Sequence, residues 1–219
     1  MNNVKIAPSI LSADFAKMGE GVVNVTKWGA DYVHVDVMDG VFVPNITFGM
    51  PMVKALRPYT TLPFDVHLMI VNPEKFVDNF IEAGADIITF HPDVCKDIKG
   101  TLRRIRDKGV KAGLVLNPDV KVNLLEPYID DMDIILLMGV FPGFGGQKFI
   151  ESVYDKISEA KKLIGNRDIE LEIDGGVTEQ NIDMMIKRGI NVVVGGSAVF
   201  KSNNPKETIG RLRGCTEQL

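Results

Sequence analysis

The feature that most constrains this chain is a phrase it repeats. "KWGADYVHVDV" (residues 27–37), "EAGADIITFHP" (82–92), "DKGVKAGLVLN" (107–117) and "KRGINVVVGGS" (187–197) each join the end of a polar helical stretch to a glycine and then to a short β-rich run. A glycine after a helix supplies the left-handed cap that other residues adopt at a cost. The apolar run that follows reads as a strand covered by helices. Helix and strand alternating in this way build a parallel sheet. Eight such strands are expected, ending near Ser9, Asp36, His67, His91, Asn117, Met138, Asp174 and Gly195. Helices fit between and after them at Lys17–Lys27, Met50–Arg57, Pro73–Ala83, Ile98–Lys108, Val122–Tyr128, Ile150–Leu163, Glu179–Arg188 and Pro205–Arg213. Eight βα units in 219 residues predict an α/β fold, a single (β/α)8 TIM barrel domain spanning residues 1–219. A doubly wound open sheet would place a glycine-rich turn after its first strand, where this chain reads "APSILS".

Composition narrows the partners. Hydrophobic residues make up 45% and charged residues 25%, enough for a sizeable core, and the net charge of −4 offers no broad attraction for nucleic acid or acidic lipid. The basic run "KGTLRRIRDKGVK" (99–111) has helical spacing and reads as a solvated helix face. No secretory pattern opens the sequence, and its longest apolar run is too short to cross a bilayer. The two cysteines, Cys95 and Cys215, match no metal or redox spacing, and are expected to be reduced bystanders in a cytoplasmic protein.

The polar residues then fall in one place. In barrels of this type the functional site lies at the C-terminal ends of the strands. Strand two alternates Val33, Val35 and Val37 with His34, Asp36 and Met38. Strand three alternates Phe64, Val66 and Leu68 with Asp65, His67 and Met69, and strand seven alternates Ile169, Leu171 and Ile173 with Glu170, Glu172 and Asp174. The apolar faces should pack on the helices, which turns the polar faces into the barrel. His34, Asp36, His67 and Asp174 would converge at its mouth as a site for one divalent metal ion, with a donor set suited to Zn, Fe, Mn or Co. By spacing alone His91, at the end of strand four, is an equal candidate.

Glycines gather at the same end. "FPGFGGQ" (141–147) follows strand six, "DGG" (174–176) ends strand seven and "GGS" (195–197) ends strand eight. Loops after strands seven and eight commonly hold phosphate in barrels, and glycines let backbone N–H groups approach its oxygens. A metal, two carboxylates and a phosphate site suggest a sugar phosphate. The metal would polarise a carbonyl, and two carboxyls on opposite sides of the neighbouring carbon could epimerise it. One base with a metal could instead drive aldol cleavage. Met38, Met69 and Met138, each at a strand end, would form a soft, dry surface over an ene-diolate.

"APSILSADF", "VHVDVMDGVFVPNITFG", "DVHLMIVNPEKFV", "GADIITFH", "PGFGGQKFI", "EIDGGV" and "GGSAVF" together resemble the ribulose-phosphate 3-epimerase family, in order, from Ala7 to Phe200. The resemblance implies a metal-dependent isomerase that interconverts D-ribulose 5-phosphate and D-xylulose 5-phosphate. It implies metal ligation by His34, Asp36, His67 and Asp174, with Asp36 and Asp174 also the acid and base at C3. Ser9, His67, Gly143, Phe144, Gly145, Gly146, Gly175, Gly176, Gly196 and Ser197 resemble the contacts to substrate and phosphate. Met38, Met69 and Met138 match the residues around the ene-diolate. His91 is not a ligand in that pattern. Family members are commonly dimers or hexamers, so a homo-oligomer is implied. The family commonly reads "MTVNPGFGGQ" after strand six where this chain has "MGVFPGFGGQ". Gly139 is therefore expected to loosen the backbone and Phe141 to add apolar surface. Those departures raise D-allulose 6-phosphate as an alternative substrate, and a sugar-phosphate-binding barrel without catalysis as a second alternative.

Overall fold

The computed structural model describes residues 4–214. Its eight strands are β1 (Lys5–Ala7), β2 (Val33–Met38), β3 (Phe64–Met69), β4 (Ile87–Phe90), β5 (Lys111–Leu116), β6 (Ile134–Met138), β7 (Glu170–Asp174) and β8 (Val192–Val194). All seven strand pairings are parallel, in the order β1-β8-β7-β6-β5-β4-β3-β2. The two end strands meet through a bridge between Ser9 and His34, and through the Asp31 N–H donating to the Ile6 carbonyl at 2.9 Å. The sheet is thus a nearly closed barrel, the expected (β/α)8 architecture.

Helices α1 (Met18–Lys27), α2 (Met50–Leu56), α3 (Val77–Ala83), α4 (Ile98–Asp107), α5 (Val153–Ile164), α6 (Ile182–Arg188), α7 (Ser197–Phe200) and α8 (Pro205–Leu212) surround it. The recurring glycine does the job its position predicts. Gly84 ends α3 at φ 108°, a left-handed conformation that L side chains rarely adopt. On α4, Thr101, Leu102 and Ile105 are buried, while the basic residues of the Lys99–Lys111 run meet acids. Arg103 pairs with Asp131 at 2.9 Å, Lys108 with Asp78 at 3.0 Å and Arg106 with Asp133 at 3.3 Å. The run is a paired, solvated helix face. Among the described residues no helix is long and apolar enough to cross a membrane.

Several boundaries differ from expectation. The expected helix at Val122–Tyr128 is a 3-10 helix over Val122–Asp131, because Pro127 inside it has no N–H to give to an α-helical turn. The expected helix from Pro73 is split into a 3-10 turn, Pro73–Lys75, and α3. The expected helix from Glu179 starts at Ile182. The short α7 after β8 was not expected. Ser9 lies two residues beyond β1 but joins the barrel through its bridge to His34. Cys95 is half-buried, and burial pushes its thiol up; its sulfur lies 3.6 Å from Thr101 Oγ1. Cys215 lies outside the described residues.

The alternation sorts the strands as the sequence implies. Val33, Val35, Val37, Val66 and Leu68 join the continuous apolar layer beneath the helices. The polar partners of these residues face the barrel interior and occupy different heights. On β7, Glu170 closes the N-terminal end, where it accepts from Tyr32 Oη at 3.0 Å and pairs with Lys5 and Lys111. Glu172 lies mid-barrel, fully buried, and Asp174 reaches the C-terminal mouth. Ala7, Tyr32, Ile87, Ile134, Val192 and Val194 form a small buried apolar cluster of their own. Leu68 is fully buried in the outer layer, so Leu68→Ala should cost about 2–5 kcal/mol, read as a lower midpoint in urea unfolding with unchanged slope.

Candidate active site

The mouth is built from strand ends that bring distant residues together. Register pairs Asp36 with His67 across β2 and β3, and Met138 with Asp174 across β6 and β7. His34 Nε2 lies 3.2 Å from Asp36 Oδ1, His67 Nδ1 lies 3.1 Å from the same oxygen, and His67 Nδ1 lies 4.0 Å from Asp174 Oδ2. One ligand atom from each of His34, Asp36, His67 and Asp174 falls within 4.8 Å of every other. Two imidazoles and two carboxylates at that spacing fit one borderline divalent cation.

Buried groups hold the four in place. Ser9 Oγ donates to Asp36 Oδ2 at 2.5 Å. Thr47 Oγ1 donates to the Asp36 carbonyl at 2.8 Å and accepts from the Met38 N–H at 3.0 Å. Asp65, fully buried, lies 2.6 Å from His34 Nδ1 through its Oδ2. An N–H on that nitrogen, donated to Asp65, fixes the ring and leaves Nε2 turned to Asp36. His91 is fully buried 3.0 Å behind His67, Nε2 to Nε2. It belongs to neither of the described donor groups.

Electrostatics pull the carboxyls apart. Burial alone would raise Asp36, but His34 and His67 outweigh it and hold the group well below the usual carboxylate range. Burial and the nearby charge of Asp36 push Asp174 up to about 7. Burial would lower His34, yet Asp65 and Asp36 hold it well above its ordinary value. Burial lowers His67, and burial with the neighbouring His67 lowers His91 much further. Burial, and then the nearby Asp65, raise Glu172 well above its ordinary value.

Above the cluster lies a cleft of about 190 Å³, room for a small metabolite. Asp36 and Asp174 line it; His34 and His67 are fully buried beneath. Ser9, Gly143, Phe144, Gly145, Gly146, Gly175, Gly176, Gly196 and Ser197 line it too, as do Met38, Met69 and Met138. His67, expected among the substrate contacts as well, does not. Gly176 has φ 70°, and a Cβ there would sit 2.5 Å from the Phe149 nitrogen, so only glycine fits without a shift. Asn45 Nδ2 ties the loop after β2 to the Gly143 carbonyl at 3.1 Å.

Of the two departures in the loop after β6, Phe141 adds exposed apolar surface as expected, while Gly139 differs from expectation. Gly139 is buried; its N–H donates to the Asp174 carbonyl at 2.6 Å and its carbonyl accepts from Ile150 at 2.9 Å. The Phe149 ring and the Gly175 carbonyl close over it, so this backbone is clamped, not loosened. Phe141 is half-exposed and outside the cleft lining. Sequence reasoning placed Asp65 and Glu172 inside the barrel but gave them no part in the site. Their inward phase on β3 and β7 was the available signal.

Fold and cleft together define a (β/α)8 barrel of the enzymatic type, with its titratable groups collected at the C-terminal mouth. The chain belongs to the Ribulose-phosphate 3 epimerase family, whose model matches residues 5–200. It is 50% identical over 214 residues to the ribulose-phosphate 3-epimerase of Bacillus subtilis, covering 96% of this chain and 99% of that one. It is 49% identical over 212 residues to the chloroplastic ribulose-5-phosphate-3-epimerase of Arabidopsis thaliana (95% and 75% covered). The ribulose-phosphate 3-epimerase of Escherichia coli K12 is 46% identical over 216 residues (97% and 96% covered). Among solved structures, a mutant tryptophan synthase alpha-subunit from Pyrococcus furiosus superposes with a TM-score of 0.72 at 18% identity, covering 98% of this chain and 100% of that one. That likeness is one of fold.

Glu172 supplies a check on the buried layer. Glu172→Gln keeps the size of the side chain without a charge, and is expected to change unfolding free energy by less than about 1 kcal/mol at pH 7. Glu172→Ala leaves a cavity and should cost about 2 kcal/mol or more. Equal losses in urea unfolding would show that Glu172 is not held neutral.

Proposed function

We propose that the chain interconverts D-ribulose 5-phosphate and D-xylulose 5-phosphate by moving a proton at C3 between Asp36 and Asp174. One observation carries this reading: of the four donor residues, only those two reach the cleft, and their surroundings favour opposite protonation states. Asp36, held ionised, takes the C3 proton from one epimer. Asp174, close to half-protonated near neutral pH, returns a proton from the opposite face of the carbon. In the reverse direction the roles exchange: Asp174 takes the proton and Asp36 returns one.

His34, Asp36, His67 and Asp174 would hold one divalent ion, Zn, Fe, Mn or Co. That ion would supply Lewis-acid polarisation of the substrate carbonyl, making the C3 proton removable. Met38, Met69 and Met138 keep water from the ene-diolate on the sugar, and Ser9 orients Asp36. Gly143–Gly146, Gly175, Gly176, Gly196 and Ser197, with Phe144 among them, offer backbone and hydroxyl donors to the phosphate. The reading includes a single cytoplasmic barrel domain assembled as a homo-oligomer, a dimer or hexamer, which light scattering would size.

The names carried by the relatives favour ribulose phosphate over D-allulose 6-phosphate, and Phe141 and Gly139 do not line the cleft. Comparing kcat/KM on the two sugars decides the question: a preference for the five-carbon substrate is expected, and the reverse would reassign it. No turnover of either sugar despite tight binding would make the chain a binding protein.

Asp36→Asn and Asp174→Asn should each lower kcat by about 10²–10⁴-fold. Metal content measured alongside separates loss of the proton carrier from loss of a ligand. Stripping the metal with a chelator should abolish turnover, and restoring Zn²⁺, Mn²⁺, Co²⁺ or Fe²⁺ should bring it back. At a free metal concentration a hundred times Kd, the folded state should gain about 2.7 kcal/mol, seen as a higher Tm.

A further inference from the structure

Each imidazole of the donor set is backed by a different buried group. Behind His34 stands a carboxylate, Asp65, at 2.6 Å; behind His67 stands a second imidazole, His91, at 3.0 Å. The geometry points to His91 as a positioning residue for the metal-binding set: by accepting the Nε2–H of His67 it holds that ring in the tautomer whose bare Nδ1 faces Asp36 and Asp174. This rests on reading the four residues as a metal site.

The proton inventory fixes the assignment. A nitrogen that binds a cation carries no proton. His67 Nδ1 is the atom turned to Asp36 Oδ1 (3.1 Å) and Asp174 Oδ2 (4.0 Å), so the proton of neutral His67 sits on Nε2. Across the 3.0 Å contact the facing Nε2 of His91 must then be bare, which puts the proton of neutral His91 on Nδ1. Nδ1 of His91 is buried with no hydrogen-bond partner among the described residues. A buried N–H without a partner is uncommon; it is the cost of keeping Nε2 bare, so that it can accept from His67.

Chemistry explains why the acceptor is not a further carboxylate. Asp36, Asp65, Glu172 and Asp174 already crowd the barrel interior. A neutral acceptor orients His67 without adding another buried charge. The ring is also fixed in place: His91 follows β4 and caps the 3-10 turn Pro92–Val94, and the Phe42 ring lies against it at 4.5 Å between centroids.

The test uses the full-length chain stripped of metal. Zn²⁺ affinity is measured by competition with a chromophoric chelator for the wild type, His91→Phe and His91→Gln. His91→Phe keeps a ring but removes the acceptor, and should weaken Zn²⁺ binding about 10–100-fold. His91→Gln offers an amide oxygen and should recover much of the loss. Nitrogen-15 NMR of the Zn²⁺-loaded wild type should find His91 protonated at Nδ1 and bare at Nε2. That last measurement decides the matter even if His91→Phe does not fold. Unaltered affinity in folded His91→Phe, or a proton on His91 Nε2, overturns the assignment while leaving the metal site intact. A wild type that takes up no Zn²⁺ overturns the metal site and this assignment together.

Discussion

The structure depends on burying charge where an apolar barrel can least solvate it. Asp36, Asp65, Glu172 and Asp174 all project into the interior from β2, β3 and β7. Isolated there, each ionised carboxylate would be costly to desolvate. The chain resolves the conflict by distributing protons and partners. Asp36 is kept charged by two imidazoles and a serine, burial beside Asp65 pushes Glu172 towards its neutral form, and Asp174 is left between those limits at about 7. Acid–base capacity at the mouth is therefore a product of the whole interior layer and not of two residues alone.

Much of this was legible beforehand because strand alternation has a strict period. Once Val33, Val35 and Val37 are assigned to the helix layer, His34 and Asp36 can only face inward, and the structure puts them there. The glycine phrase set the strand count for a similar reason: a left-handed cap such as Gly84 leaves little freedom to place the helix end elsewhere. Local rules failed where tertiary context or chain chemistry intervened. Pro127 turned an expected α-helix into a 3-10 helix, and α7 forms from four residues that carry too little pattern to read.

The site was less fully legible than the fold. Its cleft-facing residues could be named from strand ends and glycines. Its supporting residues could be placed but not given roles: strand phase turns Asp65 and Glu172 inward and puts His91 at a strand end, but the meaning of each lies in which atom it meets across the barrel. Gly139 makes the same point in the opposite sense. Glycine in a loop suggests freedom, yet here the Phe149 ring and the Gly175 carbonyl occupy the space a side chain would need, and the clamped backbone holds the carbonyl of Asp174.

Two carboxyls with opposite protonation preferences imply that the hydrogen arriving at C3 comes from the enzyme and, through it, from solvent. The direct measurement is epimerisation in D₂O followed by NMR at C3 of both ketose phosphates with metal supplied. The two-carboxyl mechanism predicts deuterium at C3 of each product molecule. Turnover that delivers product with its original C3 hydrogen retained would contradict it.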